Sequence, residues 1–493
     1  FKSIIFPFGR LSLRILEINF CIYKIFKPKF KVFKFCDTLD LMIDRNSKLA
    51  EFCAATTFEE LNSKVVERTK LIILDSIGAI LGGMVEPEVK EFLTIRSGRK
   101  TNSRCIKIMG LNKWAERSDA ALIHGLAGTT LEMDEGNQFA KGHPSMHVFP
   151  SLISAAQSEL LSCPVSGKDF ITAFVIGYDV GARIGLSSQL RSSMHPHGTW
   201  GVVGASSAIG SLLKLNRDQH AQLINISSSL STATSRKTML EGGTVRNVYA
   251  GLSNQMGHLA IDLLQSGFSG EIDGLGSVFG KIVSENLDDG LLLEELGHRF
   301  EVMRNYFKLH ACCRYNHAAL DCLHTLTQHH QELFNIEHIS FINVESYSLA
   351  AELDSSTPKN MLAAKFSLPF ALATTLVNKN SKVTSFSGDS LTKKATLDLA
   401  KKVTVKESPL MTAMLPEFRP AKVTIGLKNG RTLSESVKTN KGDWQNPYSS
   451  DDLQDKFYSL ANRVFNERKA QMIIKRVSDL DQLKDMKDLF QFI

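Results

Sequence analysis

Two kinds of apolar spacing, kept apart along the chain, constrain this fold more than any other feature of the sequence. Val65, Val66, Leu71, Ile72, Leu74, Ile77 and Ile80 recur at helical intervals, and Phe170, Phe174, Ile176, Val180 and Ile184 do so again. Strand texture comes later. Residues 339–347 are rich in β-branched side chains, and 422–427 and 432–437 flank Asn429-Gly430, a strong hairpin signal. Helical patterns resume at 449–465 and 478–492. The expected fold is mainly α: a large all-helical domain, discontinuous in sequence, with a smaller inserted α+β domain. The boundaries are 42–303 for the helical domain, 304–438 for the insertion and 439–493 for the helices that complete the first domain.

Punctuation residues refine this reading. Thr57 and Glu60 have capping-box spacing and open a helix that Gly82-Gly83 stops. Residues 105–109 suit a short strand, and Ser118 caps a helix over 119–131. A helix runs from Pro150 to Leu161, and others cover 167–186, 205–213, 218–230, 245–264 and 360–376. Glycines between Gly267 and Gly280 mark a long loop.

Charge excludes one large class of function. Net charge is +7, and Lys2, Arg10, Arg14, Lys24, Lys27, Lys29, Lys31 and Lys34, set against Glu17, account for all of it. The rest of the chain is nearly neutral and carries no nucleic-acid footprint. Residues 1–41 read as a basic extension outside the fold, too interrupted by charge for a membrane span. The eight cysteines are scattered, which fits a reducing compartment. The expected location is the cytoplasm, or the mitochondrion if the basic segment is a targeting sequence.

Polar residues concentrate in four places: Glu132, Asp134, Glu135, Lys141 and His143; then His195 and His197; then Arg236, Lys237 and Arg246; then Lys308, His310, Arg314 and His317. Proton abstraction beside a carboxylate needs a base, a proton donor and cations that neutralise the substrate, and these clusters together contain all three. His143 and His147 have a metal-like spacing but no accompanying signature, so no metal is expected. Cys312-Cys313 reads as buried rather than nucleophilic. The run 204–210 lacks the serine of a hydrolase elbow.

The loop 131–150 with its Gly-His-Pro, the run from His195 to Gly204, the run from Lys308 through Cys312-Cys313 to His317, and residues 364–369 together resemble the MmgE/PrpD family. The resemblance covers about 44 to 465. It implies a helical domain split around a lid, a site between them, no cofactor, and a homodimer. Carried over, the loop acid falls at Glu132 or Asp134, with histidines at His143 and His195 and the lid-junction lysine at Lys308. The expected catalytic residues are Asp134, His143, His195 and Lys308; Lys237, Arg246, His310, Arg314 and His317 are expected to bind substrate. The implied activity is a cofactor-independent lyase, dehydratase or decarboxylase, on a small di- or tricarboxylic acid. An iminodisuccinate-type epimerase and an inactive carboxylate-binding relic are the alternatives.

Overall fold

The computed structural model describes residues 35–98 and 105–493. Asp44–Ile493 forms one compact unit, and of Phe1–Ile43 only the start of a helix, Phe35–Ala55, is described. Expectations for residues 1–34 therefore lie outside the described residues. The protein is mainly helical with small sheets.

The elements that build the first core are α1 (Ser63–Gly83), α2 (Arg117–Thr130), α3 (Pro144–Gln157), α4 (Gly167–Ser187), α5 (Gly201–Leu212) and α6 (Tyr249–Gln265). The capping box at Thr57 exists but closes only a single turn, Phe58–Glu60. Leu61 then leaves the helical region, and α1 starts afresh where the Asn62 side chain accepts the Val65 N–H at 3.1 Å. As expected, α1 ends at the Gly82-Gly83 pair, with Met84 as its C-cap. A Cβ on Gly83 would fall 1.9 Å from the Ala127 carbonyl oxygen, so the glycine exists to let α1 and α2 touch. Among the described residues α4 alone is long and apolar enough to span a membrane, and 94% of that apolar window is buried in this core.

The largest departure from the sequence reading is α3, which begins at Pro144 and runs straight through Pro150. A mid-helix proline lacks an N–H and orphans the carbonyl four residues back. Asn254 of α6 repairs the break. Its Nδ2 donates to the Met146 carbonyl at 2.7 Å, and its Oδ1 accepts the Ser151 N–H at 2.9 Å. Asn254 is fully buried. Asn254→Leu should cost about 1–3 kcal/mol, since it leaves buried backbone groups unpaired; chemical denaturation monitored by far-UV circular dichroism checks this.

The second core uses β3 (Ile339–Ser346), β4 (Val403–Glu407), β5 (Ala421–Leu427) and β6 (Thr432–Val437), after the two-residue strands β1 (Gly136–Asn137) and β2 (Asn305–Tyr306). The sheet order is β6-β5-β3-β4; β3 and β4 are parallel and the other pairs antiparallel. The Asn429-Gly430 hairpin forms as expected, and Gly430 takes φ +85° in its turn. Helix α7 (His317–His329) packs on β5 and β6. The expected helix 360–376 is two, Met361–Lys365 and Leu368–Asn378, because Ser367 caps the second by accepting the Phe370 N–H at 3.0 Å. Gly274 and its neighbours are a buried helical turn capped by Asp273, not an open loop.

At the C-terminus α8 (Ser450–Ala461) follows expectation, but the next full helix is Glu467–Ser478, and 478–492 holds only short turns. Leu453, Phe457, Ile473 and Phe490 rejoin the first core, which also holds Leu49 to Phe307. The second core draws on Ala311 to Leu427, and Leu131, Met133, Met239 and Leu460 reach into it. Each fully buried Leu, Ile or Phe contributes about 1.5–3 kcal/mol. The chain that carries Leu131 and Met133 is thus held from both sides.

Candidate active site

That chain is the loop between α2 and α3. Glu132 leaves α2 at φ +56°, a left-handed turn that brings successive acids inward. β1 then pairs with β2, Gly136 opposite Tyr306. Asn137 Oδ1 accepts the N–H groups of Phe139 and Ala140, and its Nδ2 donates to the Glu301 carbonyl. His143 is delivered at the N-cap of α3, with Pro144 fixing the first helical turn.

Burial is complete and charges are matched. Glu132, Asp134 and Asp75 face Arg246, Lys308 and Lys456, all of them at least nine-tenths buried. Asp134 Oδ2 lies 2.6 Å from His143 Nδ1, and its Oδ1 lies 3.2 Å from Lys308 Nζ. Burial alone would raise the Asp134 carboxyl, but His143 and Lys308 outweigh it and hold the group well below the usual range. Lys308 also sits 3.5 Å from Glu132 Oε2, and these two carboxylates keep its ammonium protonated against the cost of desolvation. Arg246 is ion-paired with Glu132 and stacks 5.3 Å from the Phe366 ring. Lys456 of α8 donates to Asp75 and to the Met133 carbonyl, both at 2.5 Å.

Glu135 differs from its neighbours. Its oxygens lie 2.8 Å from the Ser145 nitrogen and 3.0 Å from the Tyr178 hydroxyl, with no cation in a salt bridge to it among the described residues, and burial pushes its carboxyl up to about 8. A folded-state value above the ordinary 4.5 means its contribution to stability is full below 4.5 and is lost as pH rises towards 8. Glu135→Gln should therefore flatten the fall in Tm between those limits; melting both proteins across that pH range checks it.

Four imidazoles cluster beside this loop. His143 and His147 each lie edge-on to His197, with ring centroids 4.8 and 5.0 Å away, and His195 to His197 is 4.7 Å. His195 Nδ1 accepts the His197 backbone N–H at 3.0 Å, so its neutral form carries the proton on Nε2. Burial, then Arg246, pushes His195 and His197 well below the usual histidine value. Burial also lowers His143, with Asp134 opposing. Both ring nitrogens of His147 are buried without partners, against Trp200 and Gly201. Among the described residues no three His, Cys, Asp or Glu side chains are grouped as metal ligands.

A small cavity of about 50 Å³ is lined by His143, His195 and His197 together with Lys141, Arg236, Arg314 and Arg419. Of the expected catalytic residues, His143 and His195 reach this wall, whereas Asp134 and Lys308 stand behind His143. Among the expected substrate-binding residues only Arg314 lines the cavity. Lys237 is exposed at the start of a short helix; one residue along a helix is a turn of roughly 100°, so Arg236 faces inward instead. Arg246 is occupied by Glu132. His317 Nδ1 lies 3.0 Å from Arg314 Nη1 and its Nε2 lies 3.2 Å from the Cys312 carbonyl, so it orients Arg314. His310 points away altogether, to Ser381 and Asp321. The thiol of Cys313 lines the cavity, but burial pushes it up to about 11 and leaves it a poor nucleophile.

Arg419 was not legible in the sequence. It sits in the turn before β5, donates to the Gln138 carbonyl at 3.4 Å, and stacks over Tyr306 and Tyr315 at 5.9 and 5.4 Å. A lone arginine before a strand gives no signal; the adjacent Pro420 was its only mark.

Comparison with known proteins gives the family. Residues 47–279 match the MmgE/PrpD N-terminal domain and residues 310–482 match the MmgE/PrpD C-terminal domain. The chain belongs to the MmgE/PrpD family. It is 24% identical to a cis-aconitate decarboxylase of Aspergillus terreus over 472 residues, which covers 91% of this chain and 95% of the relative. It is 24% identical to the mouse cis-aconitate decarboxylase over 445 residues, 86% of this chain and 88% of the relative. The human cis-aconitate decarboxylase is 22% identical over 450 residues, 86% and 89%. Within this MmgE/PrpD chain the loop between α2 and α3 lies in the N-terminal match, and Arg314 and Arg419 lie in the C-terminal one. The cavity therefore draws its imidazoles and Arg236 from the N-terminal match, and Arg314 and Arg419 from the C-terminal one.

Proposed function

We propose that this chain is a lyase, a dehydratase or decarboxylase, acting on a small di- or tricarboxylate without a cofactor, with the second core serving as a lid over the first. The observation that carries the reading is His143. Its Nδ1 is held by the Asp134 carboxylate, which leaves Nε2 as the basic nitrogen beside a cavity ringed by Lys141, Arg236, Arg314 and Arg419.

In this reading His143 Nε2 takes the proton α to a carboxylate, and Asp134 stabilises the imidazolium that results. Lys308 acts through Asp134 by keeping it ionised. The arginines bind the substrate carboxylates and stabilise the enediolate where its charge forms, which raises the rate more than uniform binding would. His195, neutral and carrying its proton on Nε2, donates to the departing hydroxyl in a dehydration. In a decarboxylation the protonated His143 instead delivers its proton to carbon as CO₂ leaves.

The test is incubation in D₂O with citrate-like tricarboxylates, cis-aconitate and iminodisuccinate-type diacids, followed by NMR and CO₂ release. Alkene formation identifies a dehydratase, and CO₂ a decarboxylase. Deuterium exchange with inversion and no net elimination would replace this reading by the epimerase. Binding without any exchange would leave only a carboxylate-binding relic.

A further inference from the structure

His310 carries an arrangement that the main cavity does not use. Its Nδ1 lies 2.5 Å from Ser381 Oγ, and its Nε2 lies 3.1 Å from Asp321 Oδ1. The other oxygen of Asp321 accepts the Lys441 N–H at 2.7 Å, so the carboxylate is held in place. Hydroxyl, imidazole and carboxylate thus form a continuous chain, in which a proton on Nε2 leaves Nδ1 free to accept from the hydroxyl. Three separate segments meet here: the loop after Lys308, helix α7 and the turn after Leu368–Asn378.

The turn is built for the meeting. Lys379 ends the helix at φ +56°, a left-handed conformation that costs about 1 kcal/mol or more for a side-chain-bearing residue. The Ala311 N–H donates to the Ser381 carbonyl at 2.9 Å, and Asn380 Oδ1 accepts the Lys382 N–H at 3.0 Å. Ser381 and His310 open on a pocket of about 180 Å³ with Leu320, Phe334 and Leu376 as apolar wall and Lys379 on its rim. None of the residues lining this pocket lines the His143 cavity. At ~30 Å³ per water, the space takes roughly six heavy atoms. A purely structural serine has no need of such a pocket in front of it.

We propose that Ser381, His310 and Asp321 form a second active site, a serine nucleophile that hydrolyses small acyl esters. Ser381 Oγ attacks the ester carbonyl carbon while its proton passes to His310 Nδ1. Collapse of the adduct breaks the ester C–O bond, and the departing alkoxide takes that proton and leaves as the alcohol. Water, deprotonated by His310 in turn, attacks the acyl-serine, releases the carboxylic acid and restores the hydroxyl. Ester and water become acid and alcohol, with no other reactant. Lys379 supplies positive charge near the oxyanion, and the apolar wall takes the short acyl chain.

The experiment uses the full chain with p-nitrophenyl acetate as substrate and a fluorophosphonate as covalent label. Wild type should turn over the ester faster than buffer containing free imidazole, and the label should map to Ser381 by mass spectrometry. Ser381→Ala should lose the label and about 100-fold or more of the ester turnover, the lower end of what a positioned base contributes. Asp321→Asn, which allows the wrong tautomer, should lose turnover while keeping Ser381 in place. Tm values for each variant separate lost chemistry from lost fold. Wild-type turnover no better than free imidazole, a label that maps elsewhere, or a folded Ser381→Ala that hydrolyses the ester normally would each overturn the proposal.

Discussion

His143→Ala is expected to lower substrate deuterium exchange at least 100-fold while the protein stays folded. A positioned general base contributes about 10²–10⁴, and His143 Nε2 is the one imidazole nitrogen at the cavity whose partner, Asp134, fixes it as a base. Removing the ring leaves Asp134 still paired with Lys308, so the buried charge stays compensated. NMR in D₂O reads the exchange, and a loss of less than tenfold would move the base elsewhere. Lys308→Ala is the poorer experiment. It removes the buried cation shared by Glu132 and Asp134, so lost turnover there would mix chemistry with lost stability.

Lys456→Ala is expected to produce the largest loss of stability, about 3–5 kcal/mol, because it leaves Asp75 as an uncompensated buried charge. It also frees the Met133 carbonyl, and with it the loop that carries Asp134 and His143. Exchange activity should therefore fall even though Lys456 does not line the cavity. Adding Asp75→Asn to the variant should recover part of the stability, since coupled neighbours are not additive. Chemical denaturation of the single and double variants measures both quantities. A loss below 1 kcal/mol in the single variant would mean the pair carries little of the fold.

Several helices and the hairpin were legible because their signals are local. The spacing from Val65 to Ile80 and the Asn429-Gly430 turn needed no distant partner to be read correctly. The helix over 144–157 failed for the opposite reason. Pro150 argues locally for a break, and the Asn254 side chain that repairs it is more than a hundred residues away in sequence. Gly83 does end α1 as its sequence suggests, but its contact with Ala127 across two packed helices was not legible.

The site divides along the same line. Asp134 and His143 share one short loop, so the sequence by itself put them side by side, and it also carried the mainly helical fold and the family resemblance. Only the tertiary structure decided which cations face the cavity. Lys237 and Arg236 are neighbours in sequence, yet helix phase sends one to solvent and the other inward. His310 resembled its neighbours Arg314 and His317 but turns to Ser381 and Asp321, while Arg419 arrives from the turn before β5. Residue type and spacing fix what a side chain can do; the packing of distant segments fixes what it meets, because a hydrogen bond forms only where donor and acceptor come within about 3 Å.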